Sequence, residues 1–210
     1  MGVIASAPPA APRACLIDAA FRIVPCRGES RSGDAALVRR DGDWALFAVV
    51  DALGHGAKAA DVADLAIVHL DQVRFAEREV GEIVAGLGDA LRGTRGAAGL
   101  VCLWHAPTQR LSGCGVGNVE LRAVGTRVSA PLSPGVLGAP IRRLQRFEAT
   151  LHAPTTIFLC SDGVSSRISL QEIVVPGLDA VGLCDSALAV GRKEHDDAAV
   201  LVARFQDRIS

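Results

Sequence analysis

Trp44-Ala45-Leu46-Phe47-Ala48-Val49-Val50-Asp51-Ala52-Leu53-Gly54-His55-Gly56 is an apolar run that ends on a carboxylate and then breaks at a Gly-His-Gly turn. The run reads as a buried strand. The residues after it, Ala57 to Ala76, hold Ala, Leu, Val and Asp but no Gly or Pro, and read as a helix. A carboxylate at the end of a buried strand is costly unless something pairs with it. The flanking glycines permit positive φ and a close approach of backbone to a ligand. Taken alone, Asp51 also fits an ordinary turn or a helix N-cap.

Three further aspartates share this placement. Asp34 follows Ser32-Gly33 and opens a strand-like stretch. Asp162, in Ser161-Asp162-Gly163, closes the apolar run Ile157 to Cys160. Asp196, in His195-Asp196-Asp197, precedes the apolar run Ala198 to Ala203. Each has its own bland reading as a turn or a charged loop. The set is more informative than its members. Several carboxylates converging at strand ends would make an oxygen-rich cage suited to a hard cation such as magnesium or manganese.

The rest of the chain supplies the frame. Cys15 to Cys26 alternates like a half-buried strand, and Arg27 to Gly33 is a polar loop. Asp34 to Arg40 and Trp44 to Val50 are joined through Asp41-Gly42-Asp43, a hairpin signal. A second helix is expected over Glu77 to Leu91, weakened by three glycines. Ala98 to His105, Arg110 to Val116, Val119 to Val124 and Arg127 to Ser129 read as an antiparallel meander. Strands near Arg143 to Leu151 and Thr156 to Cys160 follow, then helices near Ser169 to Ile173 and Leu178 to Gly191, and a last strand over Ala198 to Phe205. Strands, two helices, strands again, helices and a closing strand make an α+β fold with largely antiparallel sheets. Residues 14 to 206 are expected to form a single domain, after a disordered Ala- and Pro-rich lead-in over Met1 to Arg13.

Composition narrows the function. Twenty-two basic residues stand against 23 acidic ones and only 4% of residues are aromatic, which argues against nucleic acid as a partner. No apolar run approaches the roughly 18 residues of a membrane-spanning helix. The N-terminus lacks the basic and apolar regions of a signal peptide, and its loose match to an acylation pattern is of the kind that arises by chance. The six cysteines never occur as Cys-x-x-Cys and most sit in apolar strand-like runs, the pattern of reduced thiols in a cytoplasmic protein.

The order Ser-Gly-Asp, Asp-x-x-Gly-His-Gly, Ser-Asp-Gly and Asp-Asp, spread over about residues 28 to 204, resembles the metal-dependent type-2C (PPM) protein serine/threonine phosphatases, in their SpoIIE-like bacterial branch. Thr94-Arg95-Gly96-Ala97-Ala98 and Gly115-Val116-Gly117-Asn118-Val119 point within that branch to phosphatases of the stressosome. The resemblance implies a four-layer α-β-β-α sandwich, two antiparallel sheets flanked by helix pairs, with two Mn²⁺ or Mg²⁺ ions at one end. It implies that Asp51, Asp162 and Asp196 are catalytic. As metal ligands it implies Asp51 bridging both ions, Asp162 and Asp196 completing one site, and Asp34 with the main-chain carbonyl of Ala52 at the other. The implied substrate is a phosphorylated STAS-domain protein of a stressosome or partner-switching module.

Two departures stand out. The family places glycine directly after the bridging aspartate where this chain has Ala52, which matters if that position needs positive φ. Arg31 lies near the first motif but reads as a solvated loop arginine, His55 as a turn-stabilising residue, and Glu29 as no more than a water-mediated contributor. Specificity is expected from the surface around the cleft, the Pro131 to Pro140 loop and the helices after Gly56. Two other readings remain open: a silent regulatory or scaffold protein of the same fold, and a hydrolase of a small phosphorylated molecule. Retention of all four acidic positions weighs against the silent one.

Overall fold

In the computed structural model, residues 15–207 are described except residue 77, and for Cys15 the backbone alone. The lead-in expected over Met1 to Arg13 lies outside the described residues. Along the chain run β1 (Cys15–Val24), β2 (Asp34–Asp41), β3 (Trp44–Ala52), α1 (Ala57–Gln72), α2 (Val80–Ala90), β4 (Ala97–His105), β5 (Arg110–Val116), β6 (Glu120–Val124), β7 (Arg146–Thr150), β8 (Thr155–Cys160), α3 (Leu170–Ile173), α4 (Ala180–Gly191) and β9 (Ala198–Asp207). One sheet has the order β1-β9-β8-β6, the other β2-β3-β4-β5-β7, and every pairing is antiparallel.

Alternation along β3 shows how the layers arise. Leu46, Ala48 and Val50 face one way and pack under α1 and α2 with Ala59, Ala66, Leu70, Ile83 and Leu87. Ala45, Phe47 and Val49 face the other way and meet Ile157, Leu159, Leu201 and Phe205 of the second sheet. On that sheet's outer face, Phe158, Val200 and Val202 receive Leu183, Cys184 and Ala187 of α4. The result is the four-layer α-β-β-α sandwich. Each large side chain buried in these layers contributes roughly 2 kcal/mol of apolar transfer free energy.

Local boundaries shift by a few residues, and three differences are substantive. Strand β3 continues through Asp51 and Ala52, so the carboxylate is part of the ladder, opposite Asp34 on β2 and Ala98 on β4. The meander stops after β5: β6 crosses to the other sheet and pairs with β8, while β7 takes the free edge of β5. Apolar periodicity reads the face a strand buries and carries no information about its neighbour. Arg127 to Ser129 is not a strand. Val128 packs against the inter-sheet core, so the alternation is real, but among the described residues no strand pairs with it. Helix α1 ends at Gln72 and α2 starts at Val80, both shorter than expected.

The Pro131 to Pro140 segment is tied to the sheet. Ser133 and Leu137 are fully buried; Ser133 N–H donates to Gly115 O at 2.9 Å and Leu137 N–H to Ala97 O at 2.8 Å. This brings the segment to the end of β4 that flanks Asp51.

Candidate metal centre

Asp34 and Asp51 are directly opposed across the β2–β3 ladder, so their side chains leave the same face of the sheet. Ala36 and Val49, two residues further along each strand, pack into the inter-sheet core. By alternation the two carboxylates stand on that inner face, at the rim of the sandwich. The second sheet meets them from across the gap. Ser161 and Asp162 follow β8, Asp196 and Asp197 precede β9, and Ser161 N–H donates to Ala199 O at 3.0 Å. Ends of both sheets thus meet at one rim.

The glycines of two motifs owe their identity to this crowding. A Cβ on Gly163 would stand 1.8 Å from the carbonyl oxygen of Asp197. One on Gly33 would stand 2.6 Å from Cβ of Ala59 in α1 and 3.2 Å from Oδ2 of Asp197. The Ser-Gly-Asp and Ser-Asp-Gly signatures are therefore packing requirements of the rim.

Asp34 is 4% exposed and its Oδ2 is buried with no hydrogen-bond partner. Burial first, and then the charge of Asp51, push its carboxyl up to about 8, against a smaller opposing hydrogen bond from Ser161. Burial, then Asp162, Asp196 and Asp197, push Asp51 up to about 7. Asp162 is also raised, by burial and by Asp196, while Lys193 and the Asn118 amide act against the shift. The charges are coupled across the rim and belong to the cluster more than to single residues.

Asp197 has a separate task. It is 3% exposed; its Oδ1 accepts from Cys26 N–H and its Oδ2 from Gly33 N–H, both at 2.7 Å. That carboxylate fastens the loop before β2 to the start of β9. Asp196 Oδ1 accepts from the Asp197 N–H at 3.0 Å. Asn118 donates to Asp162 Oδ2 at 2.6 Å, and the Lys193 ammonium donates to the Asp162 main-chain carbonyl. Spacing gave no sign of Asp197, Asn118 or Lys193 in these roles; for Asn118 the only signal was the Gly-Val-Gly-Asn motif.

The other expectations resolve as follows. Ala52 is extended, its N–H donates to Gly33 O at 3.0 Å, and Gln109 is the only non-glycine with positive φ among the described residues. No positive φ is needed at Ala52. His55 Nδ1 lies 2.9 Å from Glu29 Oε1, so the turn histidine is held by the loop glutamate. Arg31 is exposed yet not merely solvated: it reaches Asp61 at 2.8 Å and Asp64 at 2.7 Å on α1, and the two hydrogen bonds raise its pKa still further.

Among the described residues, no three His, Cys, Asp or Glu side chains close into a cation cage. The donor chemistry nevertheless fits a hard divalent ion. Magnesium keeps several waters and takes only one or two carboxylates. The unpartnered Asp34 oxygen and the half-buried Asp51 opposite it are ionised together far more readily with positive charge nearby. Of the five cysteines whose side chains are described, all free, Cys102, Cys114, Cys160 and Cys184 are buried inside the layers, with burial pushing Cys160 and Cys184 up to about 12, and only Cys26 lies near the rim, so no set of thiolates competes.

No protein-family model and no curated protein sequence matches the chain. Solved structures do. A chain from the bacterial stressosome, a modular system adapted to control secondary messenger signalling, is 26% identical over 90% of this chain and 100% of that one, with a TM-score of 0.84. RsbX in complex with magnesium is 20% identical over 90% and 96%, with a TM-score of 0.77. The PP2C phosphatase domain of the cell-fate determinant SpoIIE from Bacillus subtilis, with a regulatory fragment, is 15% identical over 94% and 66%, with a TM-score of 0.75. The sandwich described above is accordingly the PPM phosphatase fold, in the bacterial form of RsbX and SpoIIE.

Proposed function

We propose that this chain is a metal-dependent protein serine/threonine phosphatase. Its substrate in this reading is a phosphorylated STAS-domain regulator of a stressosome or partner-switching module. The observation that carries the proposal is the Asp34–Asp51 pair, with Asp34 buried and holding an unpartnered oxygen and Asp51 half-buried opposite it, at the rim where Asp162 and Asp196 arrive from the other sheet. Likeness to RsbX and to a stressosome chain supports the partner.

Asp51, Asp162, Asp196, Asp34 and the Ala52 carbonyl would hold two Mg²⁺ or Mn²⁺ ions. Bound there, the ions supply an activated water and a charge clamp for phosphate oxygens. The chain's own part is placement. Asn118 and Lys193 fix Asp162 through its side chain and its carbonyl. Asp197 locks the Cys26–Gly33 loop, and with it the start of β2 that carries Asp34. No side chain is needed as a nucleophile. We place the single domain at residues 14–206 and, from the free buried thiols, in the bacterial cytoplasm. No helix among the described residues is long and apolar enough to cross a membrane.

The test is phosphate release from p-nitrophenyl phosphate, from a kinase-phosphorylated STAS protein and from an unrelated phosphoserine protein, with added Mn²⁺ or Mg²⁺ and after chelation. Release should require the metal, and kcat/KM should favour the STAS protein. Full turnover after exhaustive chelation sinks the two-ion mechanism. Equal kcat/KM on both proteins reduces the claim to a generic phosphatase.

A further inference from the structure

A phosphate arriving at a rim of carboxylates is gripped more firmly where a protein cation faces it, and the arginines and the lysine near the rim differ in how far they are free to do so. Arg31 is committed to two aspartates on α1. Arg27 is paired with Glu194 at 3.6 Å. Arg192 donates to Pro25 O at 2.8 Å and is half-buried behind the loop. The Lys193 ammonium is held on the Asp162 carbonyl beside Asp162 and Asp196. Arg95 differs from all of these. It is exposed, and its hydrogen bond is from Nη1 to a neutral acceptor, Leu53 O, at 2.8 Å.

Its position follows from the ladder. Asp51 pairs with Ala98 and Ala52 with Ala97, Leu53 N–H donates to Gly96 O at 3.0 Å, and Arg95 comes next. The guanidinium then lies over the turn that follows Asp51: a Cβ on Gly54 would stand 2.8 Å from Arg95 Nη1. That turn also touches the first motif, since Gly54 O would be 3.1 Å from a Cβ on Gly33, the residue before Asp34. Using one N–H on Leu53 O leaves the other guanidinium donors, and a planar fork of N–H groups is the geometry that grips a phosphate dianion.

We propose that Arg95 is the phosphate-binding cation of this site, taking the substrate phosphate from the side of the Leu53–Gly54 turn. The proposal rests on the phosphatase reading for its physiological substrate, and on geometry alone for the binding of phosphate. The experiment uses the full chain in Mg²⁺ and compares wild type with Arg95→Met and Arg95→Lys. Inorganic phosphate is the probe, titrated by calorimetry and, where turnover exists, as a product inhibitor of phosphopeptide hydrolysis; thermal melting and the magnesium-activation midpoint are recorded alongside. Arg95→Met should weaken phosphate binding and raise KM by roughly tenfold or more, the scale of one charge-assisted hydrogen bond. The magnesium midpoint should not move. Arg95→Lys should keep the charge and recover part of the affinity.

Unchanged phosphate affinity in Arg95→Met overturns the proposal, as does a wild-type chain that binds no phosphate. A loss confined to melting temperature and metal activation, restored by lysine, assigns Arg95 to propping the turn and overturns it too. Phosphate binding that depends on Arg95 in a chain without turnover upholds the proposal and removes the phosphatase reading.

Discussion

Asp34 and Asp51 are opposed like charges on adjacent strands, and their pKa values set a pH dependence whose sign can be worked out. Each carboxyl has an ordinary value of 3.8 and moves to about 8 and about 7 in the folded chain. Between those limits the folded chain holds protons that the unfolded chain releases. The associated stability is fully present below about pH 4 and is lost as pH rises through 7 to 8. The metal-free protein should therefore melt at a lower temperature at pH 8 than at pH 6, and Asp51→Asn should flatten that slope while raising the melting temperature at pH 8. Added Mg²⁺ favours the charged form and should stabilise wild type more at pH 8 than at pH 6. The same substitution should abolish metal-dependent phosphate release; near-normal turnover in both Asp51→Asn and Asp162→Asn would place the chemistry elsewhere. Asp197 should behave in the opposite way. Asp197→Ala strands the buried N–H groups of Cys26 and Gly33 and should cost about 3 kcal/mol, read by urea denaturation. A rise in stability there would show that relief of the repulsion Asp197 exerts on Asp34 and Asp51 outweighs its clamp.

At the scale of elements, the site is a consequence of where strands stop. Strand β8 ends just before Ser161-Asp162-Gly163 and β9 starts just after Asp196-Asp197, and Gly163 lets the two backbones touch. Gly163→Ala would drive a methyl to 1.8 Å from a carbonyl oxygen, so β8 and β9 would have to part at the rim. A loss of at least about 2 kcal/mol is expected, together with weaker metal binding in a titration, because Asp162 and Asp196 leave from these same ends. Wild-type stability in that variant would mean the two ends are free to move apart. Element types were legible in the residues because alternation and helical composition are local properties: β2, β3, β5, α1 and the closing strand were all readable. The partner of β6 was not, because Leu121 buries its side chain equally well beside any strand that faces the inter-sheet core.

The whole molecule is a sandwich whose two sheets share one core while their outer faces carry separate helix pairs. Substrate choice is expected at the rim, where the Pro131–Pro140 segment is fastened to β4 and β5 through Ser133 and Leu137. Replacing exposed Pro134 of that segment should change kcat/KM for a phosphorylated STAS protein while leaving p-nitrophenyl phosphate hydrolysis within about twofold, since surface changes away from buried groups move stability little. Parallel losses on both substrates would show that the segment shapes the site itself.

The residues by themselves determined most element types and the order of the four aspartate motifs, and their oxygen donors point to a hard cation. Each of these follows from local chemistry: period, turn residues and donor type. Only the tertiary structure decided which acids meet and what each one does. Asp196 and Asp197 are adjacent and identical in sequence, yet Asp197 is consumed by two backbone N–H groups more than 160 residues away, while Asp196 caps its neighbour. Arg31 and Arg95 are both arginines beside a motif. Two aspartates one helical turn apart on α1 occupy the first, and a single carbonyl leaves the second with donors to spare. Such assignments depend on which distant partner reaches a group first, a property of packed chains that spacing along a sequence does not encode.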